Sequence, residues 1–305
     1  MKLKNKLLTN KNSKLYHIIW LCYMKIKMLI AYIRSVPYRI PRKPLENCDK
    51  KIPEIVVSFT TYPKRKKCIP LVVESILNQT KRPDKIVLYL CNKQFTKTDT
   101  QFLHMLEKKG VTVRMVDEDL KSHKKYFYAM IEYPESLIIT IDDDIIYDKH
   151  LIEDLYNSWR NNPRAVSAKR VHKITFDNKK CVKPYNEWKH EYQNNVGVPS
   201  KELCATGCGG VLYPPHCMGE GLFDRDAIYA TCLHADDLWL KCMELVKNTP
   251  VVLAKSNNYS LQHIWGTVEN GLAKENVVSS GNDEQLKKIC RYLNRDLYKL
   301  IFDEK

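Results

Sequence analysis

A mainly parallel α/β sheet with helices on both faces is the fold this sequence predicts, and three observations predict it. Strand-like and helix-like segments alternate from Glu54 to Asn161. The strand-like runs are mostly apolar, and Leu137–Ile141 is rich in β-branched and aliphatic residues, as strands covered on both faces are. One of them, LIITIDDDIIY (137–147), passes directly into Asp142, Asp143 and Asp144, and ligands of open α/β sheets bind outside the carboxyl ends of strands.

Taken in order, Ile55–Phe59 reads as a strand. Cys68–Asn78 reads as a helix, with apolar residues at 69, 72, 73, 76 and 77. Strands at Lys85–Leu90, Val111–Val116 and Leu137–Ile141 then alternate with helices at Asp99–Lys109, Tyr126–Tyr133 and Lys149–Asn161. After Asn162 the pattern loosens. Pro184, Trp188 and the polar run to Asn195 read as an insertion. The run 206–215, TGCGGVLYPP, carries three glycines that allow close backbone approach or positive φ, or else a tight turn before an edge strand. A helix opens at His234-Ala-Asp-Asp and runs to about Val246, and Val251–Ala254 is a short strand. Asn282 is expected to cap a last helix, with Gln285 reaching back.

At 305 residues and 44% hydrophobic the chain can bury one large core. Its net charge of +15 is uneven: residues 1–51 hold thirteen Lys or Arg against Glu46 and Asp49, which is +11 of the total. This divides the chain into a basic arm, 1–51, and an ordinary domain, 52–305. Within the arm, residues 15–33 are apolar but interrupted by Lys25 and Lys27. Each lysine at a bilayer centre would cost about 2.5–3.5 kcal/mol, which argues against a spanning helix. No small-residue cleavage site follows them. An interfacial helix on an anionic leaflet is expected, followed by a stiff linker at Pro37, Pro41 and Pro44. The alternative is a basic tail packed on its own domain. A nucleic-acid-binding body would need basic residues among aromatics on the domain itself, so no nucleic acid is expected as a partner.

Eleven cysteines without a repeated spacing fit a reducing compartment. Cys204, Cys208, Cys217 and His216 could be drawn as a zinc site, but their spacing matches no common knuckle. Neither GxGxxG nor GxxxxGK[ST] occurs. The three adjacent carboxylates repel one another, which either a solvated acidic turn or a hard divalent cation would relieve. Asp236 and Asp237 at a helix start are either caps or a general base. A lone His263 is, on its own, a structural histidine.

The order of these features resembles the GT-A fold nucleotide-sugar glycosyltransferases, in particular family 2-like bacterial enzymes of capsule and lipopolysaccharide synthesis. The resemblance covers about four-fifths of the chain. It rests on SFTTYPKR (58–65), SILNQTKRPDKIVLYL (75–90), TIDDDIIY (140–147), TGCGGVLYPP (206–215), ADDLWLK (235–241) and GNDEQLK (281–287). It implies a metal-dependent, inverting glycosyltransferase with Mn²⁺ or Mg²⁺ as cofactor. The donor implied is a nucleotide-diphosphate sugar, a UDP-sugar first among them, and the acceptor a glycan or glycolipid hydroxyl. The place implied is the cytoplasmic face of the cell membrane, where the protein is peripheral.

By the same resemblance Asp142 and Asp144 are the outer carboxylates of a D-x-D motif, with Asp143 orienting them, and His263 joins the metal. Asp237 is the base and Asp236 its neighbour. Gly207, Gly209 and Gly210 close against the substrates, and Thr60, Thr61 and Arg65 hold the nucleotide. The sequence departs from the family after the second strand, where Cys91, Asn92 and Lys93 replace an acidic residue. Asp117 and Asp119 are expected to take its place at the base. A catalytically silent partner in an assembly complex is the other reading, and it gives no reason for Asp142, Asp144 and Asp237 together.

Overall fold

The structure is a computed structural model that describes residues 53–95, 99–255, 261–264, 267 and 281–302, with Cys22 and Ile26 besides. Apart from those two positions, the basic arm, its apolar segment and its proline linker lie outside the described residues. Among these residues no helix is long and apolar enough to cross a membrane.

The strands are β1 (Ile55–Thr60), β2 (Lys85–Cys91), β3 (Val111–Val116), β4 (Leu137–Thr140), β5 (Ile145–Ile146), β6 (Val166–Ala168), β7 (Val171–Lys173), β8 (Leu203–Ala205), β9 (Val211–Tyr213), β10 (Val251–Leu253) and β11 (Gln262–His263). The helices are α1 (Ile69–Leu77), α2 (Thr100–Lys108), α3 (Lys124–Glu132), α4 (Leu151–Asn161), α5 (Arg225–Thr231), α6 (Asp236–Val246), α7 (Gly281–Tyr292) and α8 (Leu297–Phe302). Seven strands form one sheet in the order β10-β6-β9-β4-β1-β2-β3. All its pairings are parallel except those of β9, which runs antiparallel between β4 and β6. The expected α/β architecture is borne out.

Successive residues of a strand point to opposite faces, and at β1, β2 and β4 both faces are dry. Ile55, Val57 and Phe59 of β1 pack with Ile86 and Leu88 of β2 and Leu137 and Ile139 of β4, beneath α1 and α4. Val56, Val87, Tyr89 and Ile138 face the other way, into a core built with α3, α5, α6, α7 and α8. That two-sided burial is why these strands read as continuous apolar runs. Ser58 breaks the run for a reason. It is fully buried, and its Oγ donates to the carbonyl of Lys125 at 2.5 Å, setting the start of α3 against β1.

Several boundaries and one cap differ from expectation, and one open alternative is decided. The turn Pro63–Cys68 is a separate 3₁₀ helix, so α1 begins at Ile69. The residues after Asn162 contain β6 to β9, each three residues long and too short to show a period. The glycine run does not lead to an edge: β9 is an interior strand, with Val211, Leu212 and Tyr213 all buried. The capping box at Asn282 does not form, because α7 already begins at Gly281. Gln285 Nε2 donates to the Gly281 carbonyl at 3.1 Å, and Gln285 Oε1 accepts from His234 N at 3.1 Å. That glutamine therefore docks the loop ahead of α6. The ten described cysteines are all free, and the zinc grouping does not assemble among the described residues.

Helix α6 is the axis of the second core. Trp239 is fully buried and donates from Nε1 to the Leu222 carbonyl at 3.0 Å. Trp239→Ala should destabilise the protein by about 3–5 kcal/mol through cavity and lost transfer energy, with the m-value of urea unfolding unchanged. A loss below about 1 kcal/mol would show that α6 is not held by this side chain.

Candidate functional site at the carboxyl edge of the sheet

Strands β1 and β4 run level, with Ser58 beside Thr140, so the residues three further on leave the sheet together. These are Thr61 and Asp143, and Thr61 Oγ1 donates to Asp143 Oδ2 at 2.6 Å. Thr60 Oγ1 instead donates to the Tyr89 carbonyl at 2.8 Å, tying β1 to β2. Arg65, from the 3₁₀ turn after β1, donates from Nη1 to Asp143 Oδ1 at 2.7 Å and lies 3.2 Å from Asp144 Oδ2 through Nη2. Burial alone would lower the pKa of Arg65, but Asp143 and Asp144 raise it, so it is a fixed cation. Burial raises the pKa of Asp143 even against Arg65 and Thr61. Asp144 is pushed up to about 6, first by burial and then by Asp142 beside it.

Asp142 faces the other way. Its Oδ1 accepts from Lys125 Nζ at 2.8 Å, and the same ammonium lies 2.9 Å from Asp236 Oδ2, an ion-pair contact without hydrogen-bond geometry. Ser122 Oγ donates to Asp236 Oδ1 at 2.8 Å. Lys125 is buried, with a side chain 5% exposed. Burial opposes its charge, but Asp142, Asp236 and Asp237 hold the proton on. At Asp236 burial opposes the charge, but Lys125, His123 and Ser122 together hold that carboxyl low. Asp237, buried beside an ionised Asp236, is pushed up to about 8. The N-cap of α6 is Ala235, so neither aspartate holds the cap position. Asp237 Oδ1 accepts instead from Gly207 N, at 2.9 Å across the site.

The glycines of 207–210 are demanded by contact. A Cβ on Gly207 would sit 2.6 Å from Lys125 Nζ, and one on Gly209 would sit 2.6 Å from Arg170 Cβ. Gly210 has φ of +86° and no space beside Leu151. Tyr147 joins this loop to the acidic one: its hydroxyl accepts from Asp142 N at 2.8 Å and donates to the Cys208 carbonyl at 3.2 Å. Strand β11 pairs with β5 and sets His263 beside Ile145, while Ile264 N donates to the Asp144 carbonyl at 2.8 Å. Burial lowers the pKa of His263, so the imidazole is neutral, and its buried Nδ1 has no hydrogen-bond partner among the described residues.

A neutral imidazole with an orphaned nitrogen and hard carboxylate oxygens are the donor types of a divalent-cation site. Five carboxylates against Arg65 and Lys125 also leave negative charge over. Yet Asp142 and Asp144 are turned to those two cations, and among the described residues no three His, Cys, Asp or Glu converge as a ligand set. Asp117 is exposed after β3 and hydrogen-bonded by Asn92. Asp119 is taken up by Lys121, Lys124 and Gln94.

Sequence reasoning missed Lys125, Tyr147 and Arg170. Lys125 was legible only as a charge in KSHKKYFYAM, where an exposed lysine reads the same. Tyr147 was quoted with its motif but carries no signal for a hydroxyl bridge. Arg170 donates from Nη1 to Thr206 Oγ1 at 2.9 Å and lies against the glycine loop, with nothing in its neighbours to mark it.

No family model matches the chain, and no curated protein matches it. Among solved structures it is similar to the mannosyltransferase PcManGT from Pyrobaculum calidifontis in complex with GDP-Man and Mn²⁺. The identity is 12% and the TM-score 0.43, over 79% of this chain and 65% of that one. It is also similar to S. aureus TarS 1–349 in complex with UDP, at 14% identity and TM-score 0.43, over 67% of this chain and 59% of that one. This chain spans less than two thirds of either. A likeness at this level assigns no role to any residue, and the chemistry of the site rests on its own contacts.

The raised pKa of Asp237 has a consequence for stability. An acid that ionises near 4 when unfolded and at about 8 when folded contributes stability that is full below about pH 4 and lost as the pH rises to 8. Asp237→Asn should therefore melt above the wild type at pH 8.5 and level with it at pH 4. Equal melting temperatures at both pH values would mean that Asp237 ionises normally.

Proposed function

We propose that this protein is a nucleotide-sugar glycosyltransferase that moves a sugar from a nucleotide-diphosphate donor to a hydroxyl of a glycan or glycolipid in surface polysaccharide synthesis. The observation that supports it most is the meeting of Asp142 and Asp236 on one buried ammonium, with Asp237 beside them under the glycine loop. Carboxylates from two distant segments thus face one space at the carboxyl edge of the sheet, where such folds bind ligands.

In this reading Thr60, Thr61 and Arg65 border the nucleotide, with Asp117 towards the base. Gly207, Gly209 and Gly210 let backbone approach the sugars. Asp142, Asp144 and His263 would hold Mn²⁺ or Mg²⁺, which when bound supplies Lewis-acid stabilisation of the leaving diphosphate. Asp237 Oδ1 is held by Gly207 N, which leaves Oδ2 to take the acceptor proton. As the O–H bond breaks towards Oδ2, the oxygen bonds to the anomeric carbon. The bond from that carbon to the diphosphate oxygen breaks on the opposite face with its electron pair, which inverts the centre. Asp236, tied to Ser122 and Lys125, positions Asp237.

The test is a panel of nucleotide sugars with wild type and Asp237→Asn. General-base assistance is worth about 10²–10⁴ in rate, so the variant should lose turnover by that order while donor affinity stays put. Because the base must be ionised, wild-type kcat/KM should climb with pH towards about 8, and the climb should vanish in the variant. Turnover with retained anomeric configuration would remove Asp237 as base, and turnover in EDTA would remove the metal.

We also propose that residues 1–51 anchor the protein peripherally at the cytoplasmic face of the cell membrane, supported by their +11 charge and apolar centre. Deleting residues 1–45 should abolish sedimentation with anionic vesicles and spare activity on a soluble acceptor. Unchanged sedimentation would rule the arm out as anchor.

A further inference from the structure

We infer that Lys125 is the resident cation of the site, a positioning residue that joins Asp142 to Asp236 and that a divalent ion must displace from Asp142. The inference rests on the proposed role of Asp142 as a metal ligand. Its physical basis is the placement of one ammonium. Lys125 Nζ lies 2.8 Å from Asp142 Oδ1 and 2.9 Å from Asp236 Oδ2, and the side chain is nearly sealed from water. Its backbone is held by Ser58, and the space above Nζ is closed by Gly207. Nothing in this setting suits a merely solvated lysine. Three carboxylates, Asp142, Asp236 and Asp237, gather round it. Without it they would repel at low effective dielectric and part.

The same ammonium sits where a second cation on Asp142 would feel it most. Arg65 stands in the same relation to Asp144. The two outer aspartates are therefore neutralised by the chain itself before any ligand arrives. A divalent ion alone gains little by entering, whereas one carried in with a diphosphate brings its own counter-charge. Were an ion so carried to take Asp142, Lys125 would be left with Asp236 alone.

The experiment titrates Mn²⁺ alone, by calorimetry, into the full-length wild type and Lys125→Met, and measures turnover separately. The methionine keeps an unbranched side chain, one heavy atom shorter, and removes the charge. A folded Lys125→Met, judged by circular dichroism and tryptophan fluorescence, should bind Mn²⁺ about tenfold tighter or more, although its turnover falls. A lysine that only filled space would leave the affinity unchanged or weaken it on removal, and either result overturns the inference. Should Lys125→Met not fold, Gly207→Ala keeps the charge but drives Nζ out of its place. It too should tighten Mn²⁺, and an unchanged affinity counts against the role. Tighter Mn²⁺ in the variant with no nucleotide-sugar turnover by wild type would refute the transferase and keep Lys125 as resident cation. Turnover by wild type with no gain in the variant would do the reverse.

Discussion

One buried ammonium among three aspartates is the constraint on which the rest of the site depends. A charge so far from water persists only where it is paired, and Lys125 is paired twice, with Asp142 and with Asp236. The pairing sets the geometry of everything around it. Helix α3 must start where Ser58 can hold it, and α6 must open with Asp236 facing inward. Residue 207 must be glycine, because a side chain there would occupy the place of Nζ. Asp237 owes its raised pKa first to burial and then to the ionised Asp236 beside it, which opposes a second negative charge against the pull of Lys125.

The sheet brings these pieces within reach of one another. Antiparallel β9, set between β4 and β6, lays the glycine loop beside the end of β4, and Tyr147 bridges the two loops through one hydroxyl. Arg65 and Thr61 brace Asp143 from the β1 side. Asp143 is therefore structural in its contacts, holding the strand end in place while Asp144 shares Arg65 with it and Asp142 turns to Lys125. The two cores beneath are continuous with this edge. Ile139 and Ile141 lie on one face and Ile138 on the other, so the acidic loop stands on packed strands rather than on a mobile turn.

Much of this was legible in the residues alone. The strands β1 to β4 and the helices between them follow from apolar runs and from i, i+3, i+4 spacing, because burial on both faces writes itself directly into composition. Asp142 to Asp144 at a strand end, the glycines of 206–210 and the acidic pair at 236–237 were visible as local patterns. Their order supplied the resemblance. The reading failed where elements are short or where one side chain serves a distant partner. The interior place of β9 was not legible, because three residues carry no period. Asn282 was expected to cap α7, because a helix start cannot show that its Gln285 is needed by His234 N.

What the sequence determined by itself is the two-faced parallel sheet and the presence of carboxylates at its carboxyl end, since both arise from local composition and chain direction. Which carboxylate meets which cation was decided only in three dimensions. Lys125 is an ordinary lysine in its own helix, and Arg65 an ordinary arginine in its own turn. They become the counter-charges of Asp142, Asp236, Asp143 and Asp144 because strand register and helix packing close the distance, and electrostatic pairing depends on that distance and on burial rather than on sequence separation.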